Sequence, residues 1–214
     1  MFFCPRCGTQ VEDGSIFCPN CGVSLTKKPV TSLPKIESSF KSYFSRPFIY
    51  SVILSTTLIF SVLLVSGSLG EQITVHKAQQ IQMELEREFS RWTAIDFFSN
   101  NILIALISFI PVIGSFWMLF VQYNTGYVLG ILAKAYQINF WLIIVLIIAS
   151  ATGLLEYSAY ILALSESFVI FYFLIKKNLK ERLSKQTWKT LLIVTILLFI
   201  GAIVEAISVG VPII

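Results

Sequence analysis

The sequence predicts an all-α polytopic membrane protein with a small β-hairpin head. Three observations carry this reading. Of 214 residues, 56% are hydrophobic and 13% charged, with mean hydropathy +0.78, where a soluble chain usually carries about 25% charge. From residue 47 onward the chain is a succession of long apolar runs, and about 20 such residues match the hydrocarbon core of a bilayer. All four cysteines lie within the first 21 residues, outside those runs.

The head covers residues 1–25. Cys4-Pro-Arg-Cys7-Gly and Cys18-Pro-Asn-Cys21-Gly are two Cys-x-x-Cys knuckles. Each turns tightly enough to aim two thiolates at one point, and two knuckles supply the four soft ligands of a structural zinc site. Gly8 and Gly22 follow the second cysteine of each pair, where the backbone needs a positive φ. Asp13-Gly14 is a turn signal between Val11 and Ile16-Phe17, so a hairpin is expected there. Zinc is favoured over two disulfides for a head on the reducing, cytoplasmic side. With four protein ligands the metal has no open position for catalysis.

Residues 26–46 read as a basic linker. Pro29 and Pro34 interrupt it, and Ser38 to Phe44 suit a short interfacial helix or a linker without structure. Lys27, Lys28, Lys35, Lys41 and Arg46 precede the first apolar run, and Lys176, Lys177, Lys180, Arg182, Lys185 and Lys189 fill one late loop. These clusters read as positive-inside signals, not as nucleic-acid contacts. No secretory signal peptide is expected at the N-terminus, because no basic start leads into an apolar core with a cleavage site.

The membrane domain is residues 47–214. Its first span is 47–69. Residues 71–92 are no span: Ala78, Ile81, Leu85, Phe89 and Trp92 make one apolar stripe on an otherwise charged helix. This amphipathic helix is expected outside the bilayer on the extracytoplasmic side, packing on the membrane domain, a partner chain or lipid. His76, the single histidine, is expected on its surface. Apolar stretches at about 97–112, 113–135, 139–150 and 153–175 precede the basic loop, and one at about 188–209 follows it. Pro111 with Gly114, and Ala151-Thr152-Gly153, break the two pairs. With the N-terminus and the basic loop both cytoplasmic, an even number of crossings separates them. One of the intervening stretches therefore fails to cross. The 139–150 stretch, or else a member of the 97–135 pair, is that short re-entrant or broken element. About five crossings result, with the C-terminus outside.

Glu156, Glu166 and Glu205 fall within or near these spans. A central carboxylate costs about 2.5–3.5 kcal/mol on insertion scales, and no lysine or arginine lies deep in a span to pair with it. Asn100, Asn101, Gln122, Asn124 and Tyr157 are the nearer partners by chain order. An intramembrane polar site of Asn100, Asn101, Asn124, Glu156 and Glu205 is one reading; hydrogen-bonded glue between helices is the other. Gly126-x-x-x-Gly130 permits close helix packing. Enzyme signatures are missing: no His-Glu-x-x-His, no Gly-x-Ser-x-Gly and no phosphate loop.

Taken in order, "FFSNNILIAL" (97–106), Gly114 with Asn124-x-Gly126, "GLLE" (153–156) and "EAIS" (205–208) resemble the stage II sporulation protein M (SpoIIM) family over about residues 45–212. The resemblance implies a first span, an exported helical stretch and a cluster of later spans. It departs at Thr152-Gly153, where members often carry Pro-His-Gly before the glutamate, and at Tyr157-Ser158-Ala159, where a proline often follows it. The resulting expectation is a non-enzymatic scaffold, a homodimer in the cell membrane, with a cytoplasmic zinc ribbon that docks a protein. The alternative is a channel or transporter using the intramembrane carboxylates at the broken helices.

Overall fold

The computed structural model describes residues 2–25 and 46–212. The linker and the interfacial helix expected within residues 26–45 lie outside the described residues. The chain divides into two units, residues 1–43 and 44–214, considered separately below.

In the first unit, strands β1 (Phe2–Phe3) and β2 (Gln10–Val11) pair antiparallel, Phe2 opposite Val11 and Phe3 opposite Gln10. The hairpin therefore closes around the first knuckle, not around Asp13-Gly14 as the sequence suggested. A bridge between Phe17 and Ser24 closes the second knuckle in the same way. Asp13-Gly14 forms the turn that joins the two halves, with Ser15 N donating to Glu12 O at 3.2 Å.

In the second unit, helix α1 is Arg46–Gly70, α2 Val75–Phe89, α3 Ala94–Ser108 and α4 Ile113–Tyr136. They are followed by α5 (Phe140–Ala149), α6 (Ala151–Ile175), α7 (Leu179–Arg182), a π-helical turn (Leu183–Thr187) and α8 (Trp188–Val209). Among the described residues, four helical stretches are long and apolar enough to cross a membrane: α1, α4, α6 and the continuous Leu179–Val209. Helix α3 has 15 residues and α5 has 10, so they rise about 22 Å and 15 Å, short of the roughly 30 Å core. The 139–150 stretch, expected as the short element, is α5, and the 97–112 stretch is shortened too, because its helix stops at Ser108, before Pro111. The chain turns there through Val112, whose φ of 66° and ψ of −63° with Ile113 N bonded to Pro111 O at 2.8 Å make a γ-turn of the strained hand. Ser167 of α6 steadies this turn by donating to Ile110 O at 3.1 Å.

Contacts between named residues fix the directions of the helices. Helix α1 runs parallel to α4, because Gly126 lies on Leu63 and Ser66 while Gly130 lies on Gly67. A Cβ added at Gly126, Gly130 or Gly70 would run into the backbone of the facing helix, so the two backbones touch where the sequence placed its small-residue pair. The tip of the Phe140 ring of α5 abuts Gly67, where a Cβ would run into it. Helices α6 and α8 run antiparallel: Glu166 meets Thr190 near one end, and Gly201 lies against Glu156 and Leu155 near the other. The Asn101–Glu156 and Ile110–Ser167 contacts set α3 parallel to α6. The central cluster draws Ile59 and Leu63, Met118, Tyr157 and Leu164, Val194 and Leu198 from these helices. Outward residues such as Ile53, Phe116, Trp141 and Ile196 are exposed, as lipid-facing positions are.

Helix α2 starts at Thr74, whose hydroxyl accepts from Lys77 N. Ala78 and Ile81 pack on Ile131 and Ala135 of α4, and Tyr136 donates to Glu86 Oε1 at 2.9 Å. Of the three surfaces the sequence allowed, the stripe takes the chain's own membrane domain. His76 is exposed, as expected.

The basic loop holds a surprise. Arg182 is 2% exposed and Glu166 fully buried. The guanidinium grips both carboxylate oxygens, Nε at 2.9 Å from Oε1 and Nη2 on Oε2. Thr187 donates to Oε1 at 2.7 Å and Thr190 to Oε2 at 3.1 Å. Gln186 Oε1 accepts from Arg182 Nη1, and the Phe48 ring of α1 lies 5.6 Å from the guanidinium carbon. The expectation that no lysine or arginine pairs with the span carboxylates is thus corrected for Glu166, whose partner is a member of the basic loop. The π-turn supplies the reason: its wider winding inserts a residue before α8, so that Arg182, Gln186, Thr187 and Thr190 all converge on Glu166.

Two outcomes test these contacts in thermal unfolding of the detergent-solubilised chain. Gly130→Ala should destabilise it by about 1–3 kcal/mol through overpacking, while Gly201→Ala, whose Cβ would meet side chains only at 3.5–3.6 Å, should be nearly neutral. Arg182→Met should cost roughly 3–5 kcal/mol by stranding a buried carboxylate, and adding Glu166→Gln should restore most of it. Equal stability of the single and double variants would remove the ion pair from this role.

Candidate functional site

The four cysteines of the head converge. Their sulfurs all lie within 4.8 Å of one another, with Cys4–Cys21 at 3.7 Å and Cys7–Cys18 at 3.6 Å. Four sulfurs held about 2.3 Å from a tetrahedral zinc stand about 3.8 Å apart, so the set fits that ion. The knuckles repeat one backbone scheme. Gly8 N bonds to Cys4 O and Gly22 N to Cys18 O, both at 2.9 Å. Cys4 N reaches Thr9 O at 2.8 Å and Cys18 N reaches Val23 O at 2.9 Å. Gly8 and Gly22 sit at φ 72° and 67°, the left-handed conformation expected of them. Thr9 Oγ1 lies 3.3 Å from Cys7 Sγ and accepts from Asn20 Nδ2 at 2.9 Å. It is the main reason the Cys7 thiol is lowered to about 6, toward the thiolate that a metal needs. The buried core of this unit is Cys4, Cys18 and Val11, so most of its folding energy has to come from the metal.

The second site lies among the helices. A cavity of about 750 Å³ is lined by Asn100, Asn101, Gln122, Glu156 and Glu205, with Phe97, Tyr157 and Tyr160 among its walls. Its mouth carries Leu85, Phe89 and Trp92, the part of the α2 stripe not used against α4. Asn101 Nδ2 donates to Glu156 Oε1 at 2.5 Å, and Asn100 Nδ2 to Asn101 Oδ1 at 3.1 Å. Glu205 lies within hydrogen-bonding reach of Glu156. Ser150 ends α5 and caps α6, accepting from Gly153 N at 2.9 Å. That single-residue junction sets Glu156 on the second turn of α6, facing the cavity.

Four of the five residues assigned from sequence to an intramembrane polar site thus meet. Asn124 does not, and that assignment is corrected: it is exposed and its amide turns back to Phe120 O at 2.8 Å, because two residues along a helix carry it off the face of Gln122. Gln122 takes its place. It is 1% exposed, and its Oε1 is one of three buried polar side-chain atoms among the described residues without a partner, the others being Ser55 Oγ and Trp117 Nε1. Of the three residues, only Gln122 lines the cavity. A helical step of four from Met118 and Gly126 would have marked it as inward-facing. Glu166, read with the other two carboxylates, is separate, locked by Arg182.

Comparison with known proteins places both units. Residues 3–25 match the model of the zinc-ribbon domain, and residues 48–208 match the model of Stage II sporulation protein M. No curated protein and no solved structure matches. The four cysteines are therefore a structural zinc site. Stripping the metal with a chelator should erase the dispersed NMR signals of residues 2–25 while the helical circular dichroism of the membrane domain stays unchanged.

Proposed function

The chain belongs to the Stage II sporulation protein M family, and on that premise we propose that it is a non-enzymatic membrane scaffold whose zinc ribbon docks a protein partner. The reading places the N-terminus in the cytoplasm and the C-terminus outside, and includes a homodimer. One observation carries it. Below the cavity the membrane domain is packed shut: Met118, Leu164 and Leu198 are fully buried, and the Glu166–Arg182 pair closes that end. A site open toward α2 and dry beneath suits holding a partner better than passing a solute. The ribbon's saturated metal gives it a rigid surface with no chemistry of its own.

A second reading, a channel or transporter, draws on the cavity, its two carboxylates and the junctions beside them. Helices interrupted at membrane depth are tolerated where they line a cavity, and the Glu166–Arg182 lock would then be a gate.

Reconstitution separates the two. Zinc-loaded chain in liposomes should show no flux in proton, sodium or amine gradients. In native membranes, cross-links from the ribbon to another protein should vanish in Cys4→Ser/Cys7→Ser. Flux abolished by Glu156→Gln and Glu205→Gln would overturn the scaffold reading in favour of transport.

A further inference from the structure

The cavity beneath α2 has the features of a ligand site, whichever of the two readings holds. We propose that it binds a primary ammonium group, with Glu156, Glu205 and Gln122 as its three acceptors and the aromatic walls receiving the carbon skeleton.

Charge comes first. Glu156 and Glu205 lie within hydrogen-bonding reach of one another, Glu88 is a third carboxylate on the lining, and the residues lining the cavity include no lysine or arginine. Half-buried carboxylates this close are relieved by a shared proton or by a cation, and no lining residue supplies the cation. Asn101 already occupies one oxygen of Glu156, which orients the carboxylate.

Gln122 is the independent observation. It is nine-tenths buried and more, yet its Oε1 has no partner. Its Nε2 faces Met118 Sδ at 3.6 Å. A thioether sulfur is a weak acceptor and never a donor, so the amide nitrogen belongs on that side and Oε1, on a residue that lines the cavity, is the open acceptor. A buried acceptor left open costs about 1–3 kcal/mol and calls for a donor.

The chemistry selects among cations. An ammonium group has three N–H donors and no acceptor, matching one hydrogen bond to each of the three acceptors. A hard metal ion such as calcium would gather six to eight oxygens and leave the aromatic part of the lining unused. Trp92, Phe97, Tyr157 and Tyr160 supply faces that attract cations and accept an apolar skeleton. The volume, about 750 Å³, falls in the range of small-molecule sites.

The ammonium can come from a soluble amine or from an amine-bearing lipid headgroup, and the experiment separates them. Zinc-loaded full-length chain in detergent is titrated calorimetrically with benzylammonium chloride, with benzyl alcohol as the uncharged control. The expected result is saturable binding of the amine alone, weakened about tenfold or more by Glu205→Gln and by Gln122→Leu. On the unaltered chain, methylammonium should displace the probe and tetramethylammonium, which has no N–H, should not. In nanodiscs, displacement by phosphatidylethanolamine but not phosphatidylcholine assigns the group to lipid; equal probe binding in both assigns it to a soluble amine. The proposal fails if the unaltered chain binds no probe up to about 10 mM, if benzyl alcohol binds as well, if tetramethylammonium displaces equally, or if both folded variants bind unchanged.

Discussion

Within hydrocarbon a polar group has only the protein to answer it, and the membrane domain is organised around how each such group is answered. Glu166 is the extreme case. Its carboxylate takes a bidentate arginine and two threonine hydroxyls, and that demand explains the π-turn, the inward course of the basic loop and the seat of Phe48. Lesser groups follow the same rule. Thr56, Ser68, Asn124 and Thr195 return their donors to the preceding turn of their own helices. Asn139 and Ser150 cap the helices whose interruption would otherwise leave amides bare. Against that background the open oxygen of Gln122 and the facing pair of Glu156 and Glu205 are exceptions, and all three border one cavity.

Much of the fold was legible because its signals are local. Four cysteines at fixed spacing define a metal site without tertiary knowledge. Apolar runs, the stripe of 71–92 and the Gly126–Gly130 step give the helices, the amphipathic element and a packing face. Pro111 and Ala151-Thr152-Gly153 mark breaks that do occur. What stayed hidden depends on long-range pairing. Arg182 looks like its lysine neighbours until a π-turn, which no composition announces, aims it inward. Asn124 and Gln122 are two residues apart and equally polar; only the rotation of α4 against α1 decides which faces the interior. The hairpin of the head was misplaced because the Asp13-Gly14 signal is real, but it joins two similar halves instead of capping one.

The two units rest on different physics. The ribbon has almost no core and depends on a metal, so it responds to zinc and thiol chemistry. The membrane domain depends on shape and polar closure, with two pairs of glycines bringing α1 and α4 into backbone contact. Each can therefore be perturbed without the other.

The Glu166–Arg182 pair also bears on how the chain is made. A growing polypeptide enters the membrane from its N-terminus, so Glu166 of α6 precedes Arg182, 16 residues further along the chain, into place. Until Arg182 and Thr187 follow, the helix holds a carboxylate with no mate in a medium hostile to it. A chain that stops short of the basic loop keeps that defect permanently. The burial of Glu166 is thus complete only when the basic loop has folded back against α6.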